Sequence, residues 1–149
     1  MAGQLDPIQL MRKIAELESK IDALRTIEVG GVWTAWTPTT TPDGSMTYTS
    51  TTLNVARYTV AGNICAFRYQ ITGTVGGTPS NLFTISLPLS AVAPLFNTFA
   101  CALRDAGNWV AGFVVCTASS NFIVRRYDQA NFSAGSPTAI YVSGSYEIA

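Results

Sequence analysis

The chain has 149 residues with nine basic and nine acidic side chains, no histidine and 48% hydrophobic content. A net charge of zero excludes a strongly basic nucleic-acid binder and an acidic disordered tail. Without histidine there is no Ser-His-Asp or Cys-His nucleophile system, no histidine metal site and no histidine pH switch.

Half of the charge sits in a fifth of the chain. Residues 1–31 hold nine charges (Asp6, Arg12, Lys13, Glu16, Glu18, Lys20, Asp22, Arg25, Glu28), and residues 32–149 hold the other nine. All 16 aromatics lie at Trp33 or later. The expected organisation is a charged rod over 1–31 and a β-type domain over 32–149, long enough to bury its own core. The start, Met1-Ala2-Gly3-Gln4-Leu5, has no basic stretch leading into an apolar one, so no secretory signal is expected. The longest apolar run, Trp109 to Cys116, is too short to cross a bilayer, so no membrane insertion is expected. Cys65, Cys101 and Cys116 are odd in number and lie in β-patterned runs, which fits buried free thiols better than a disulfide framework.

The rod opens with a helix start. Asp6 is the N-cap, Pro7 stands at N1, Gln9 at N3 can close a capping box, and Leu5 with Leu10 forms a hydrophobic staple. Leu10, Ile14, Leu17, Ile21 and Leu24 then follow at spacings of four, three, four and three, a heptad with isoleucine at a and leucine at d. The helix is expected to end near Gly30-Gly31. The stripe is narrow and its flanks are charged or small, which favours self-association over packing on the chain's own domain. Lys13 at g and Glu18 at e can pair between helices, whereas Lys20 at g faces Arg25 at e. Isoleucine at a with leucine at d points to dimers. Lys13-Ile14-Ala15-Glu16-Leu17-Glu18 is similar to a trimer-favouring pattern, so the heptads alone leave both numbers open.

From Trp33 on, short alternating runs are broken by Gly, Pro, Asn and Ser, and Thr plus Ser make 28 of 118 residues. The expected strands are 32–37, 47–55, 57–60, 64–72, 82–87, 96–103, 109–116, 121–127 and 138–148. This set predicts an antiparallel β-sandwich of jelly-roll type. Gly62-Asn63 and Gly107-Asn108 are the hairpin signals. Alternation puts Cys65, Phe67, Tyr69 and Ile71 on one face, opposite Ala66, Arg68 and Gln70. It likewise puts Ile140, Val142, Gly144, Tyr146 and Ile148 opposite Tyr141, Ser143, Ser145 and Glu147. The run 109–116 is apolar on both faces, which implies cover from a second sheet and from a neighbouring subunit.

Trp33-Thr34-Ala35-Trp36-Thr37-Pro38, then Arg57-Tyr58-Thr59-Val60-Ala61-Gly62-Asn63-Ile64, and finally Ile140-Tyr141-Val142-Ser143-Gly144-Ser145-Tyr146-Glu147-Ile148 together resemble the C-terminal head domains of tailed-bacteriophage fibre and receptor-binding proteins. The resemblance covers most of residues 32–149. It implies a homotrimer on the virion surface with a coiled-coil stalk and a β-sandwich head that is often an adhesin for surface glycans. Residues 1–31 then become a virion-docking segment and stalk, holding another virion protein through Met1 to Leu5 and the helix. Only about five residues precede that helix, which suits a short spike better than a long fibre.

Catalysis needs paired carboxylates, and the β part has only Asp43, Asp105, Asp128 and Glu147. A non-enzyme is expected, with no metal and no cofactor, since Cys-x-x-Cys and acidic Ca²⁺ loops are absent. Five arginines against four acids do not make a nucleic-acid face. Glycan binding is the functional expectation, through Asp105, Asn108 and Trp109 at one hairpin tip and Arg126, Tyr127, Asp128 and Asn131 at a loop. Turn chemistry and strand packing also explain each of these residues. A capsid-mounted head fibre or decoration protein is the alternative, and a glycan-processing enzyme is a more distant one.

Overall fold

The computed structural model describes residues 6–28, 31–92, 97–116 and 118–149, and in it residues Pro7–Glu28 form one helix, α1. The Asp6 carboxylate caps it, Oδ1 accepting the Ile8 N–H at 3.3 Å, which satisfies one of the helix's free donors. Ile14 is 47% and Leu17 57% exposed, so the apolar stripe of this unit lies in water at those positions. Lys20 Nζ pairs with Glu16 Oε1 at 2.6 Å along its own helix, an exposed contact that stabilises little. The staple at Leu5, the docking segment Met1 to Leu5, and the side chains of Leu10, Ile21 and Leu24 lie outside the described residues.

The second unit, Val32–Ala149, is built of strands. These are β1 (Thr34–Ala35), β2 (Thr40–Pro42), β3 (Met46–Ala61), β4 (Ile64–Gly77), β5 (Leu82–Ser86), β6 (Thr98–Asp105), β7 (Asn108–Cys116), β8 (Asn121–Arg126) and β9 (Gly135–Glu147). They form one antiparallel sheet in the order β1-β3-β4-β9-β6-β7-β8-β5-β2. The sheet curls until its halves face each other. Phe67 on β4 and Phe122 on β8 have ring centroids 5.4 Å apart, although β9, β6 and β7 lie between their strands. Tyr48 on β3 meets Phe83 on β5 at 5.0 Å in the same way. The two layers expected of a sandwich are thus halves of a single sheet, packed over a core that includes Phe67, Tyr69, Phe83, Phe122, Ile140 and Tyr146.

The alternation read for Cys65 to Ile71 and for Ile140 to Tyr146 is the observed one, with Cys65, Phe67, Tyr69 and Ile71 buried on β4 and Ile140, Val142 and Tyr146 buried on β9. β4 runs on to Gly77, β6 spans Thr98–Asp105 rather than 96–103, β9 begins at Gly135 rather than 138, and three larger differences have a physical reason. The strand expected over 32–37 shrinks to two residues, and beyond it Trp36 turns inward, its ring 6.1 Å from those of Phe67, edge-on, and Tyr69, tilted. The runs 47–55 and 57–60 are one long strand, β3, whose register slips between Thr49 and Thr52 and again between Leu53 and Val55. Such bulges break the two-residue period, so one strand reads as two. Thr40-Thr41-Pro42 pairs with β5 as a short edge strand that no periodicity announced.

Candidate functional site

The hairpin β6–β7 turns at Ala106-Gly107, with φ of 45° and 91°, one residue earlier than Gly107-Asn108. Two successive positive-φ residues fit the tight turns that match strand twist, and Asp105 pairs with Asn108 across it. Arg104 Nε donates to the Gly107 carbonyl at 3.0 Å and secures the tip.

The two clusters picked from the sequence meet, because β7 pairs with both β6 and β8. Their meeting is internal. Asp105 is only 3% exposed, and its Oδ2 accepts from Arg126 Nη1 at 2.6 Å and from the Ser133 hydroxyl at 3.1 Å. Its Oδ1 accepts the Ser133 N–H at 2.8 Å. Arg126 also reaches Asp128 through Nε at 3.1 Å and Nη2 at 2.7 Å, and the Asn131 carbonyl at 3.4 Å. The hydrogen bond from Arg126 holds the Asp128 carboxyl below its ordinary range, and the same bond raises the arginine further. Asp105, Arg126 and Asp128 therefore brace the loop after β8 with their polar atoms turned to one another. Asn108, Trp109 and Tyr127 remain exposed, Trp109 by 66% and Tyr127 by 69%.

Trp109 leads to a feature the local motifs did not announce. Its ring lies 5.4 Å from that of Tyr141 on β9, tilted by 36°. Tyr141 belongs to an outward rung, Val55–Gln70–Tyr141–Ala102–Ala111, that crosses β3, β4, β9, β6 and β7. The next rung, Arg57–Arg68–Ser143, stops at β9, because β9 and β6 pair only from Ala102↔Tyr141 to Arg104↔Ala139. Phe99 of β6 lies against Gly144 beyond that point, and a Cβ on Gly144 would fall 3.0 Å from its ring. Glycine lets the aromatic ring stay where the strands part.

The parting leaves a groove of about 370 Å³ on the outward face, lined by Val55, Arg68, Gln70, Ala100, Tyr141 and Ser143. Through the gap it reaches Tyr69, Cys101 and Val142. The Tyr69 hydroxyl shares a 2.7 Å hydrogen bond with Thr40 Oγ1, and burial pushes it up to about 12. Burial also pushes the Cys101 thiol up to about 12, so both stay neutral near pH 7 and neither is a nucleophile there. The floor is thus uncharged, Arg68 supplies the cation, and Gln70, Ser143 and Tyr141 supply hydrogen-bonding groups. Alternation groups Arg68 with Gln70, and Tyr141 with Ser143, each pair on the face opposite the buried set of its strand. What brings them together is strand order, which no local pattern carries. Among the described residues no group of three or more Cys, Asp or Glu could hold a metal ion.

No family model and no curated protein matches this chain. Among solved structures it is similar to the receptor binding protein gp15 of Listeria phage PSA, with a TM-score of 0.50 and 19% identity. The match covers 99% of this chain and 82% of that one. At this identity the likeness is one of fold, and it agrees with the mainly β head that the sequence resemblance implies.

Proposed function

We propose that this chain is a non-catalytic attachment protein of a bacteriophage virion, whose β head binds a glycan of the bacterial surface through the groove and its aromatic end. The observation that carries this reading is Trp109, exposed and stacked on Tyr141, which itself lines a polar groove. Exposed aromatic faces take the apolar side of a sugar ring, and amide, hydroxyl and guanidinium groups take its hydroxyls. The shared fold with a phage receptor binding protein supports the same reading.

The acids argue against chemistry. Asp43 accepts from the Ser80 hydroxyl at 2.7 Å and Glu147 from Asn63 Nδ2 at 2.7 Å, while Asp105 and Asp128 are held by Arg126. Each head carboxylate serves a local structural contact, and the two that come together, Asp105 and Asp128, are both engaged by the Arg126 guanidinium. The half-exposed Ile14 and Leu17 support a stalk in which α1 associates with copies of itself, as a homotrimer on the virion surface joined to another virion protein.

The test is adsorption. Labelled full-length protein is expected to bind bacterial cells or their isolated polysaccharide. Trp109→Ala is expected to lower that binding at least tenfold, the scale of a lost aromatic contact, with an unchanged melting temperature. Protein that binds no bacterial surface would move the reading to a capsid-mounted decoration protein, and release of reducing ends would revive the enzyme.

A further inference from the structure

Arg57 and Arg68 stand directly opposite each other on β3 and β4. Like charges in that position repel and destabilise a sheet. Among the described residues the ion pairs are those of Lys20 with Glu16 and of Arg126 with Asp105 and Asp128, so neither arginine is neutralised by a neighbour. The Arg57 guanidinium lies 5.6 Å over the Trp33 ring, a cation–π contact that fixes its position without cancelling its charge. Arg68 has Ser143 of β9 as its register partner on the other side and lines the groove with Gln70.

We propose that this end of the groove binds an anionic group of the glycan, a sugar carboxylate or a phosphodiester, through Arg68 with Arg57 behind it. The proposal rests on the attachment reading and names the ligand's chemistry. A guanidinium fork matches the two oxygens of either group, and the anion offsets the like-charge repulsion of the Arg57–Arg68 pair. Gln70 and Ser143 donate to the remaining oxygens, while the neutral floor at Tyr69 and Cys101 opposes no negative charge. Trp109 and Tyr141 at the other end take an uncharged sugar face, so the site fits an acidic saccharide better than a simple polyanion.

The experiment measures binding of full-length protein to oligogalacturonate, a phosphodiester-linked oligosaccharide and neutral malto-oligosaccharide at low ionic strength. One acidic probe is expected to bind at least about tenfold tighter than the neutral one, the scale of a charged hydrogen bond, and which of the two wins names the group. Arg68→Gln is expected to remove that preference and Arg57→Gln to weaken it, with melting temperatures unchanged or raised. Equal binding of neutral and acidic probes, wild-type behaviour of both variants, or equal binding of poly-glutamate each overturns the proposal. Trp109-dependent binding of neutral sugar alone overturns it while leaving attachment intact, whereas absence of binding to any bacterial surface removes attachment as well.

Discussion

Asp105 at the end of β6 accepts a 2.6 Å hydrogen bond from Arg126 at the end of β8, and this pair fastens two strands that do not touch in the sheet. Removing the cation leaves the Asp105 carboxylate buried and without its ionic partner. Arg126→Ala is therefore expected to destabilise the head by about 2–3 kcal/mol. Urea denaturation followed by tryptophan fluorescence measures the shift, and a midpoint equal to wild type would show the brace to be dispensable.

Asp128 predicts a pH dependence. Its carboxyl is held low in the folded state by the Arg126 hydrogen bond, so its contribution is fully present above the unfolded carboxylate value of about 3.9. That contribution is lost as pH falls through the lower folded value. Thermal melts of wild type and Asp128→Asn are expected to differ near pH 7 and to converge as the solution is acidified below pH 4. A constant difference across that range would contradict the assignment.

Gly144 is expected to resist substitution. The Cβ of Gly144→Ala would meet the Phe99 ring at 3.0 Å, so the ring must move within a packed core, at about 1–3 kcal/mol. Since Phe99 sits where β6 and β9 part, the same variant is expected to alter groove binding. Paired melting and binding measurements check both, and a variant normal in each would free the groove from this contact.

The proposed self-association of α1 predicts that wild type scatters light as an oligomer and that Leu17→Asp, which places charge on the apolar stripe, lowers the mass to that of a monomer. The head's thermal transition should persist, because residues 32–149 carry a core of their own. A monomeric wild type, or an oligomer whose mass the substitution leaves unchanged, would contradict self-association through α1.

Sequence reading succeeded where a strand has one wet and one dry face, as in β4 and β9, because alternation there is the burial pattern itself. It also placed the Asp6 cap, whose chemistry is local. It divided β3 in two, since the slips near Ser50 and Asn54 reverse the faces midway. It offered Asp105 as a ligand contact because a turn aspartate looks available, while the arginine that occupies it arrives from β8. Alternation separates Arg68 and Tyr141 from the apolar sets of their strands but does not connect them, as nothing near either residue reveals that β4, β9 and β6 are neighbours.

β9 follows every other strand in the chain yet lies in the middle of the sheet, with β4 on one side and β6 on the other. During synthesis the ribosome has therefore made eight strands before the one that joins the two halves exists. The nascent head must wait with both flanks unpaired, and closure depends on contacts between distant segments, which are slow to form and exposed to mispairing meanwhile. Interruption of translation just before Gly135 would release a chain holding most of the core's residues and no means of assembling them. For a head of this topology, closure of the sheet waits on β9.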